Sequence, residues 1–263
     1  MLEYKTIEIL TENNVITIWL NRPEVHNAFN QEMVFELKHF YENSVNDLTT
    51  RLIILRGRGK SFCAGADIKW LKSVINYNFE KNYEEGLQLA QCLNAIYNCP
   101  IPTMAIVHGA SMGGANGLLA ACDFAYATED TVFSLSEVKI GIIPAAISPY
   151  VLKRIGEFKT KELMITGRRF KGNEAEKYNL INRSLSESEL EKEIESVTSL
   201  ILSSGPQAIK KGKELINNVV NNIELNEAVT YTAKMIAEVR QSDEGQEGMN
   251  AFLEKRKPNW INE

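Results

Sequence analysis

The stretch from residue 103 to residue 144 constrains the fold more than any other part of the chain. It opens with Thr103 to Val107, an apolar run that is short and rich in branched residues, as buried strands are. Gly113 and Gly114 follow, and residues 116 to 121 have the composition of a helix. Amides at such a helix start have no partner within the helix and lie at the positive end of its dipole. The stretch therefore predicts a strand, a glycine turn and a helix whose first amides receive an anion or a developing oxyanion.

A second unit of the same kind lies earlier in the chain. Residues 52 to 55 read as a strand, which runs into the glycine-punctuated loop RGRGKSFCAGAD at 56 to 67. The apolar spacing of IKWLKSVI then predicts a helix. Glu137 stands alone as a carboxylate among apolar and small residues. Backbone donors followed by one isolated carboxylate indicate enolate chemistry.

The rest of the chain predicts one α/β domain with a core over residues 1–204 and a helical C-terminal extension over 205–263. Alternation over 6 to 10 and 15 to 20 predicts a hairpin. Asn30 is the expected cap of a helix that reaches about residue 46. Further helices are expected at 79–97, 148–155, 160–165, 173–178, 187–202, 207–222, 224–240 and 243–255, with Leu180 to Ile181 as a candidate edge strand.

Composition excludes several classes of function. A net charge of −5 and a pI near 5.5 argue against a nucleic-acid surface. The four cysteines lack CxxC spacing and the three histidines are scattered, so neither a metal site nor a disulfide framework is expected. That cysteine usage suits a reducing compartment. Because no apolar leader and no membrane-length apolar run is present, we expect a soluble, cytoplasmic protein.

Three motifs together resemble the signatures of the crotonase family, the enoyl-CoA hydratases and isomerases. They are SFCAGADI at 61–68, HGASMGGANGLLAACD at 108–123 and FSLSEVKIGIIP at 133–144, and the resemblance runs from residue 21 to residue 258. The resemblance implies a spiral of β-β-α units and a helical tail that assembles homotrimers or dimers of trimers. It also implies an acyl-CoA substrate, with no separate cofactor because coenzyme A is part of that substrate.

The resemblance assigns catalytic roles to three positions. The amides of Ala66 and Gly114 match the family's oxyanion hole, and Glu137 matches the second of its two catalytic glutamates. The chain departs from the pattern at the first glutamate, where Gly117 stands. We expect the missing side chain to leave room for a bulkier or carboxylated acyl group, or a gap that water cannot use productively.

The resemblance also marks a path for the substrate. Trp70, Leu71 and Ile142 are expected to shape the acyl pocket, although Trp70 is equally compatible with plain core. Phe252 and Lys255 are candidates to contact the coenzyme, against the alternative of an amphipathic tail with a solvated lysine. The other expected substrate-binding positions are Val25, His26, Ala28, Ala64, Gly65, Asp67, Ile68, Gly113 and Gly117.

Three hypotheses for function remain open at this point. The first is a hydratase for a branched or carboxylated enoyl-CoA such as 3-methylglutaconyl-CoA, because residues 134–151 and 245–258 resemble bacterial methylglutaconyl-CoA hydratases. There the substrate carboxylate, Asn116 or Ser148 would position water. The second is a Δ3,Δ2-enoyl-CoA isomerase or a decarboxylase that uses Glu137 alone. The third is a non-catalytic oligomerising or RNA-associated protein, which the acidic charge and the intact motifs disfavour.

Overall fold

The computed structural model describes residues 3–44 and 49–261. These residues form nine strands, which are β1 Ile7–Glu12, β2 Val15–Leu20, β3 Leu52–Gly57, β4 Thr103–Val107, β5 Ala110–Met112, β6 Phe124–Thr128, β7 Val132–Ser134, β8 Arg169–Lys171 and β9 Arg183–Leu185. They also form ten α-helices, which are α1 Gln31–Ser44, α2 Ile68–Val74, α3 Phe79–Tyr97, α4 Ala115–Ala121, α5 Ser148–Thr166, α6 Gly172–Lys177, α7 Glu187–Ser203, α8 Pro206–Asn221, α9 Leu225–Gln241 and α10 Asp243–Glu254. Two 3₁₀ turns, Pro23–Val25 and Glu137–Ile140, complete the order.

The larger sheet has the strand order β1-β2-β3-β4-β6-β9. Strands β1 and β2 form the predicted antiparallel hairpin, and every later neighbour pair in this sheet is parallel. Parallel neighbours need crossover connections, which the helices supply. Because the carboxyl ends of parallel strands meet at one edge, the loops after β3 and β4 lie side by side. A parallel bridge between Cys63 and Ser111 joins them.

A smaller sheet has the strand order β5-β7-β8. Strand β5 ends just before the glycine pair, and β7 ends shortly before Glu137. Strands β5 and β7 are parallel, with Met112 opposite Ser134. The amide of Gly113 donates to the carbonyl of Ser134 at 2.8 Å. This pairing places the residues just after β7 beside the glycine turn that precedes α4.

The apolar core lies on both faces of the larger sheet. In β3, Ile53 and Leu55 belong to one buried cluster, whereas Leu52 and Ile54 belong to a second cluster on the other face. A strand covered on both faces is expected to read as a continuous apolar run rather than as an alternation. That is the pattern on which β3 and β4 were predicted.

The predicted helices and strands lie close to their expected positions, with two local differences. The segments 148–155 and 160–165 form one span, α5, which bends at Gly156, where φ is 73°. Leu180 and Ile181 are buried core residues in a turn rather than an edge strand, and the edge strand is β9 instead. The predicted end of α1 near residue 46 falls outside the described residues.

Three further findings concern the described part of the chain. None of its helices is long and apolar enough to cross a membrane. It contains no cluster of three or more His, Cys, Asp or Glu side chains placed to hold a metal ion. The four cysteines are buried, and burial raises the pKa of the Cys63, Cys92 and Cys122 thiols to about 12.

Candidate active site

Two backbone amides belong to residues that line one cavity of ≈ 270 Å³. They belong to Ala66, in the loop after β3, and to Gly114, the residue that precedes α4. Among the hydrogen bonds between described residues, none uses either amide as its donor. The strand, glycine turn and helix units therefore bring two residues with available N–H groups to the wall of one cavity.

The two loops approach each other so closely that glycine is required at the contact. Gly65 has a φ of 92°, and a Cβ atom there would lie 2.8 Å from the carbonyl oxygen of Met112. Any other residue at position 65 would be strained and would push the loops apart. The spacing of the Ala66 and Gly114 amides thus depends on Gly65.

Glu137 begins the 3₁₀ turn after β7, and its carboxyl group lies over Gly113. A Cβ atom at Gly113 would be 3.2 Å from Oε1 of Glu137. The other oxygen, Oε2, is buried and has no hydrogen-bond partner among the described residues. Burial raises the pKa of Glu137, against an opposing hydrogen bond from its own backbone. A carboxylate stripped of solvent and partners is a stronger base than an ordinary surface glutamate.

The structure brings six of the predicted residues into this cavity. Besides Ala66, Gly114 and Glu137, the walls include the three expected acyl-pocket residues Trp70, Leu71 and Ile142. The remaining lining residues are Phe29, Val74, Asn82, Glu85, Gly86, Leu89, Ile143, Pro144, Ala145, Ala146 and Ile147. Most of the wall is apolar, which suits an acyl chain.

The predicted coenzyme-binding segments lie against each other beside the cavity. The amide of Ala64 donates to the carbonyl of His26 at 2.9 Å, and the amide of Ala28 donates to Val25 at 3.1 Å. Asp67 caps α2 through the amide of Lys69 and accepts from Arg22 at 2.6 Å. Burial alone raises the pKa of Asp67, but these hydrogen bonds lower it overall.

Of the predicted residues outside the cavity wall, five are exposed, namely His26, Ala64 and three residues on or next to α2 and α10. Ile68 is 72% exposed at the start of α2. Phe252 is 83% exposed on α10, and Lys255 is an exposed residue that ends that helix in a left-handed conformation. None of the three lines the cavity within the described chain.

The structure corrects the expectation of open space at Gly117. This residue is buried within α4, and a Cβ atom there would lie 2.4 Å from Cγ2 of Ile147 and 3.0 Å from Cδ1 of Leu93. Ile147 fills the space and itself lines the cavity. An apolar branched side chain therefore stands where the sequence suggested a gap.

The structure also removes Asn116 as a candidate to position water. Its side-chain nitrogen donates to the carbonyls of Ser111, Gly113 and Ser134, and its oxygen accepts from the Ser111 hydroxyl. Asn116 is fully buried. Its amide therefore holds the glycine turn against β7 and has no capacity left for a substrate water.

Sequence reasoning missed Glu85, the other carboxylate in the cavity wall. Glu85 lies on α3 and is 7% exposed. It shares one helix face with Leu89, Cys92 and Ile96, at the i, i+4, i+7 and i+11 positions. That spacing was the available signal, because it places an acid on the buried face of an amphipathic helix.

The parallel sheet, the two strand, glycine turn and helix units and the buried glutamate match the crotonase type that the motifs resemble. A family model described as enoyl-CoA hydratase/isomerase matches residues 10–263, and the chain belongs to that family. The family assignment and the fold predicted from the motifs are thereby confirmed.

Individual relatives match over nearly the whole chain. The chain is 30% identical to the crotonyl-CoA hydratase of Syntrophomonas wolfei, with 98% of each chain covered. It is also 30% identical to the peroxisomal Δ3,5-Δ2,4-dienoyl-CoA isomerase of Arabidopsis thaliana, again over 98% of each chain. The crystal structure of an enoyl-CoA hydratase from Shewanella pealeana matches with 33% identity and a TM-score of 0.94, covering 98% of this chain and 97% of that one.

Proposed function

We propose that this enzyme hydrates an enoyl-CoA thioester, with Ala66 and Gly114 binding the thioester oxygen and Glu137 moving the protons. The observation that supports this proposal most directly is the buried, unpartnered Oε2 of Glu137 in the same cavity as two available amides. Pairing a proton acceptor with an oxyanion hole serves reactions in which negative charge develops on a thioester oxygen.

The proposed reaction uses one carboxylate for both proton transfers. Ionised Glu137 takes a proton from water as the water oxygen bonds to the β-carbon of the substrate. The double-bond electrons move toward the thioester oxygen, where the amides of Ala66 and Gly114 stabilise the charge. Glu137 then gives the same proton to the α-carbon. The hydroxyl and the proton of one water are thus added across the double bond, and the carboxylate returns to its starting state.

The cavity wall favours an uncharged, branched acyl group over a carboxylated one. Glu85 and Glu137 both line the cavity, and none of its described lining residues is a lysine or an arginine. A substrate carboxylate would meet two acids and no cation there, which is unfavourable. We therefore prefer an uncharged enoyl-CoA, such as 3-methylcrotonyl-CoA, to 3-methylglutaconyl-CoA, the example that the sequence suggested.

Isomerisation of a 3-enoyl-CoA to a 2-enoyl-CoA is the second candidate function. The observation that favours it is the contact between Gly117 and Ile147, which puts an apolar side chain where the family pattern has its first glutamate. One carboxylate is sufficient to carry a proton from the α-carbon to the γ-carbon, and no water has to be activated.

We also propose that the chain assembles as a homotrimer or a dimer of trimers through its helical extension. Helices α8 to α10 expose many apolar side chains. They include Ile216, Val220, Leu225, Val229, Phe252 and Leu253, each more than 60% exposed. Packing against further copies of the chain would remove these side chains from water.

One absorbance assay separates these functions. The enzyme is mixed in turn with crotonyl-CoA, 3-methylcrotonyl-CoA, 3-methylglutaconyl-CoA and a 3-enoyl-CoA, and the absorbance of the conjugated enoyl thioester is followed. Hydration lowers this absorbance, and isomerisation of the 3-enoyl-CoA raises it. We expect loss of absorbance with the uncharged 2-enoyl thioesters, larger than with 3-methylglutaconyl-CoA, which differs from 3-methylcrotonyl-CoA only by its carboxylate.

Other outcomes of the same assay would contradict the proposal. A rise with the 3-enoyl-CoA alone would select the isomerase. Faster hydration of 3-methylglutaconyl-CoA than of 3-methylcrotonyl-CoA would overturn the preference for an uncharged acyl group. No change with any of the four thioesters would remove both candidate functions.

A further inference from the structure

We propose that Trp70, Glu85 and Gln31 form a hydrogen-bonded wall that closes the acyl end of the active-site cavity and limits the length of the acyl chain. This inference rests on the proposed function, because it takes the ≈ 270 Å³ cavity as the acyl pocket. It adds Glu85 and Gln31 as specificity determinants and gives Trp70, which the resemblance places at the acyl pocket, the role of limiting chain length.

The wall separates two cavities. Trp70 and Glu85 line the active-site cavity, and they also line an outer cavity of ≈ 280 Å³. Gln31 lines the outer cavity only. The remaining lining residues of the outer cavity are Val34, Phe35, Lys81, Glu84 and Gln88. The inner cavity is at the small end of the range for ligand pockets, about 300 to 1,000 Å³, so a long chain needs additional space.

Hydrogen bonds and an aromatic contact hold the wall in place. The indole Nε1 of Trp70 donates to Oε2 of Glu85 at 2.6 Å, and the side-chain amide of Gln31 donates to Oε1. The edge of the Trp70 ring meets Phe29, with the ring centroids 5.7 Å apart. Since Glu85 is buried and both of its oxygens accept hydrogen bonds, the indole is fixed in one orientation.

Core packing does not account for an acid at this position. None of the ion pairs between described residues includes Glu85, so its charge is buried among neutral donors. Burying a carboxylate without a cation is costly, and the same helix face carries Leu89, Cys92 and Ile96 further along. An apolar residue would suit that face better. We therefore assign Glu85 the task of holding Trp70 between the two cavities.

An acyl chain that passes this wall would find apolar surface beyond it. Val34 is buried and Phe35 is half exposed, and both line the outer cavity. The wall therefore blocks access to a volume that favours alkyl groups. Removing the hydrogen bonds that hold Trp70 opens the inner cavity into the outer one.

Binding of saturated acyl-CoAs tests the wall without relying on the reaction, because these thioesters have no double bond to hydrate or shift. Dissociation constants are measured by calorimetry for butyryl-, hexanoyl-, octanoyl- and decanoyl-CoA. Each buried methylene is worth about fourfold in affinity. In the unaltered protein we expect affinity to rise over the first members of the series and then to stop rising. The chain length at which the rise stops is the cut-off.

Four variants distinguish the wall from a general loosening of the site. In Glu85→Ala the affinity should keep rising up to decanoyl-CoA. The ratio of the decanoyl-CoA affinity to the butyryl-CoA affinity should exceed that of the unaltered protein by about tenfold or more. Trp70→Phe, which removes the indole donor and keeps an aromatic ring, should change the ratio in the same direction. Glu85→Gln retains an acceptor for Trp70 and should retain the cut-off. Glu80→Ala is the control, because this exposed residue of the same helix lines neither cavity.

The outcomes separate this inference from the proposed function. If Glu85→Ala and Trp70→Phe are folded by circular dichroism and keep the cut-off of the unaltered protein, the wall does not set chain length. If the affinity of the unaltered protein already rises through decanoyl-CoA, the proposed role of the wall is contradicted as well. If no acyl-CoA binds to any of the proteins, the proposed function fails and the inference fails with it.

Discussion

At the scale of single residues, the proposed chemistry depends on one carboxyl group with an unusual environment. Glu137 has a buried oxygen without a partner, a glycine beneath it and two available amides in the same cavity. Buried polar groups in proteins are nearly always hydrogen-bonded, so an unpartnered carboxylate oxygen indicates a task other than stability. Three predictions follow from this environment.

Replacing Glu137 by glutamine keeps its size and removes the proton acceptor. We expect turnover of the enoyl-CoA to fall by about 10² to 10⁴, the usual contribution of general acid-base catalysis, while binding of a saturated acyl-CoA is retained. Steady-state kinetics and calorimetry measure the two effects separately. Glu129→Gln, at an exposed position after β6, is the control and should keep full turnover. Near-normal turnover in Glu137→Gln would move the catalytic base to another residue.

The pKa of Glu137 predicts how turnover and stability depend on pH. Burial raises this pKa, so turnover should fall on acidification in a range above the ordinary glutamate value of about 4.3. Between that value and the raised pKa, the folded protein binds more protons than the unfolded chain, so the free energy of unfolding falls as pH rises. Glu137→Gln should lack this fall. Unfolding titrations at several pH values test it, and parallel pH profiles for the two proteins would contradict it.

The donor role of Gly114 can be tested with two substitutions at one position. Proline removes the amide hydrogen, and the φ of −53° at Gly114 suits it, but any Cβ there would lie 2.7 Å from the Phe29 ring. Gly114→Ala introduces the same Cβ and keeps the donor. We expect turnover of Gly114→Pro to be about 10² to 10³ lower than that of Gly114→Ala, the usual effect of losing one oxyanion donor. Equal turnover in two folded variants would place the donor elsewhere.

At the scale of elements, the packing of α4 decides what position 117 tolerates. The contact with Ile147 means that a glutamate at this position, which would restore the first glutamate of the family pattern, has no space. The expected result of such a change is loss of the fold around α4. Alanine substitutions at positions 117 and 147 test the contact between these residues with less disturbance of the fold.

We predict that Gly117→Ala lowers the free energy of unfolding by about 1 to 3 kcal/mol through overpacking against Ile147. Ile147→Ala should cost about 2 to 5 kcal/mol by opening a cavity. The double variant should cost at least about 1 kcal/mol less than the sum, because the second change makes room for the first. Chemical denaturation measures all three.

The control for this cycle is another helical glycine. Gly212→Ala in α8, where a Cβ would meet nothing within 4 Å, should stabilise the protein by up to about 1 kcal/mol through helix propensity. If the free-energy cost of the double variant equals the sum of the costs of Gly117→Ala and Ile147→Ala, the two residues are not in contact.

The elements show which features of the fold could be predicted from sequence. Strand β4 and helix α3 were predicted with their observed bounds, because an apolar run and a long amphipathic period are strong local signals. The small sheet of β5, β7 and β8 was not predicted, since strands of three residues carry no period to detect. The same limit applies to the site. Glu85 was missed although its spacing in α3 could have placed it on a buried face, and its contact with Trp70 depends on how α2 and α3 pack.

At the scale of the whole molecule, the apolar surface of the extension predicts assembly. We expect sedimentation to give a mass three or six times that of the 29.7 kDa chain. Lysine at both Val220 and Val229, which are 61% and 69% exposed, should reduce that mass by placing charges in the interface. Glu195→Lys, on an exposed part of α7, is the control. A monomer in the unaltered protein would remove the proposed assembly.

The buried thiols can be used to report local opening of the structure. Cys63 lies in the loop that carries Ala66, Cys92 lies on α3 below Glu85, and Cys122 ends α4. Because the thiolate is the reactive form and burial suppresses it at all three positions, an alkylating reagent can react only when the surrounding structure opens. The rate at which each thiol is labelled therefore measures how often the element that holds it opens locally. A bound acyl-CoA should slow the labelling of Cys63 most, since the loop that holds Cys63 also carries Ala66, the proposed donor to the thioester oxygen.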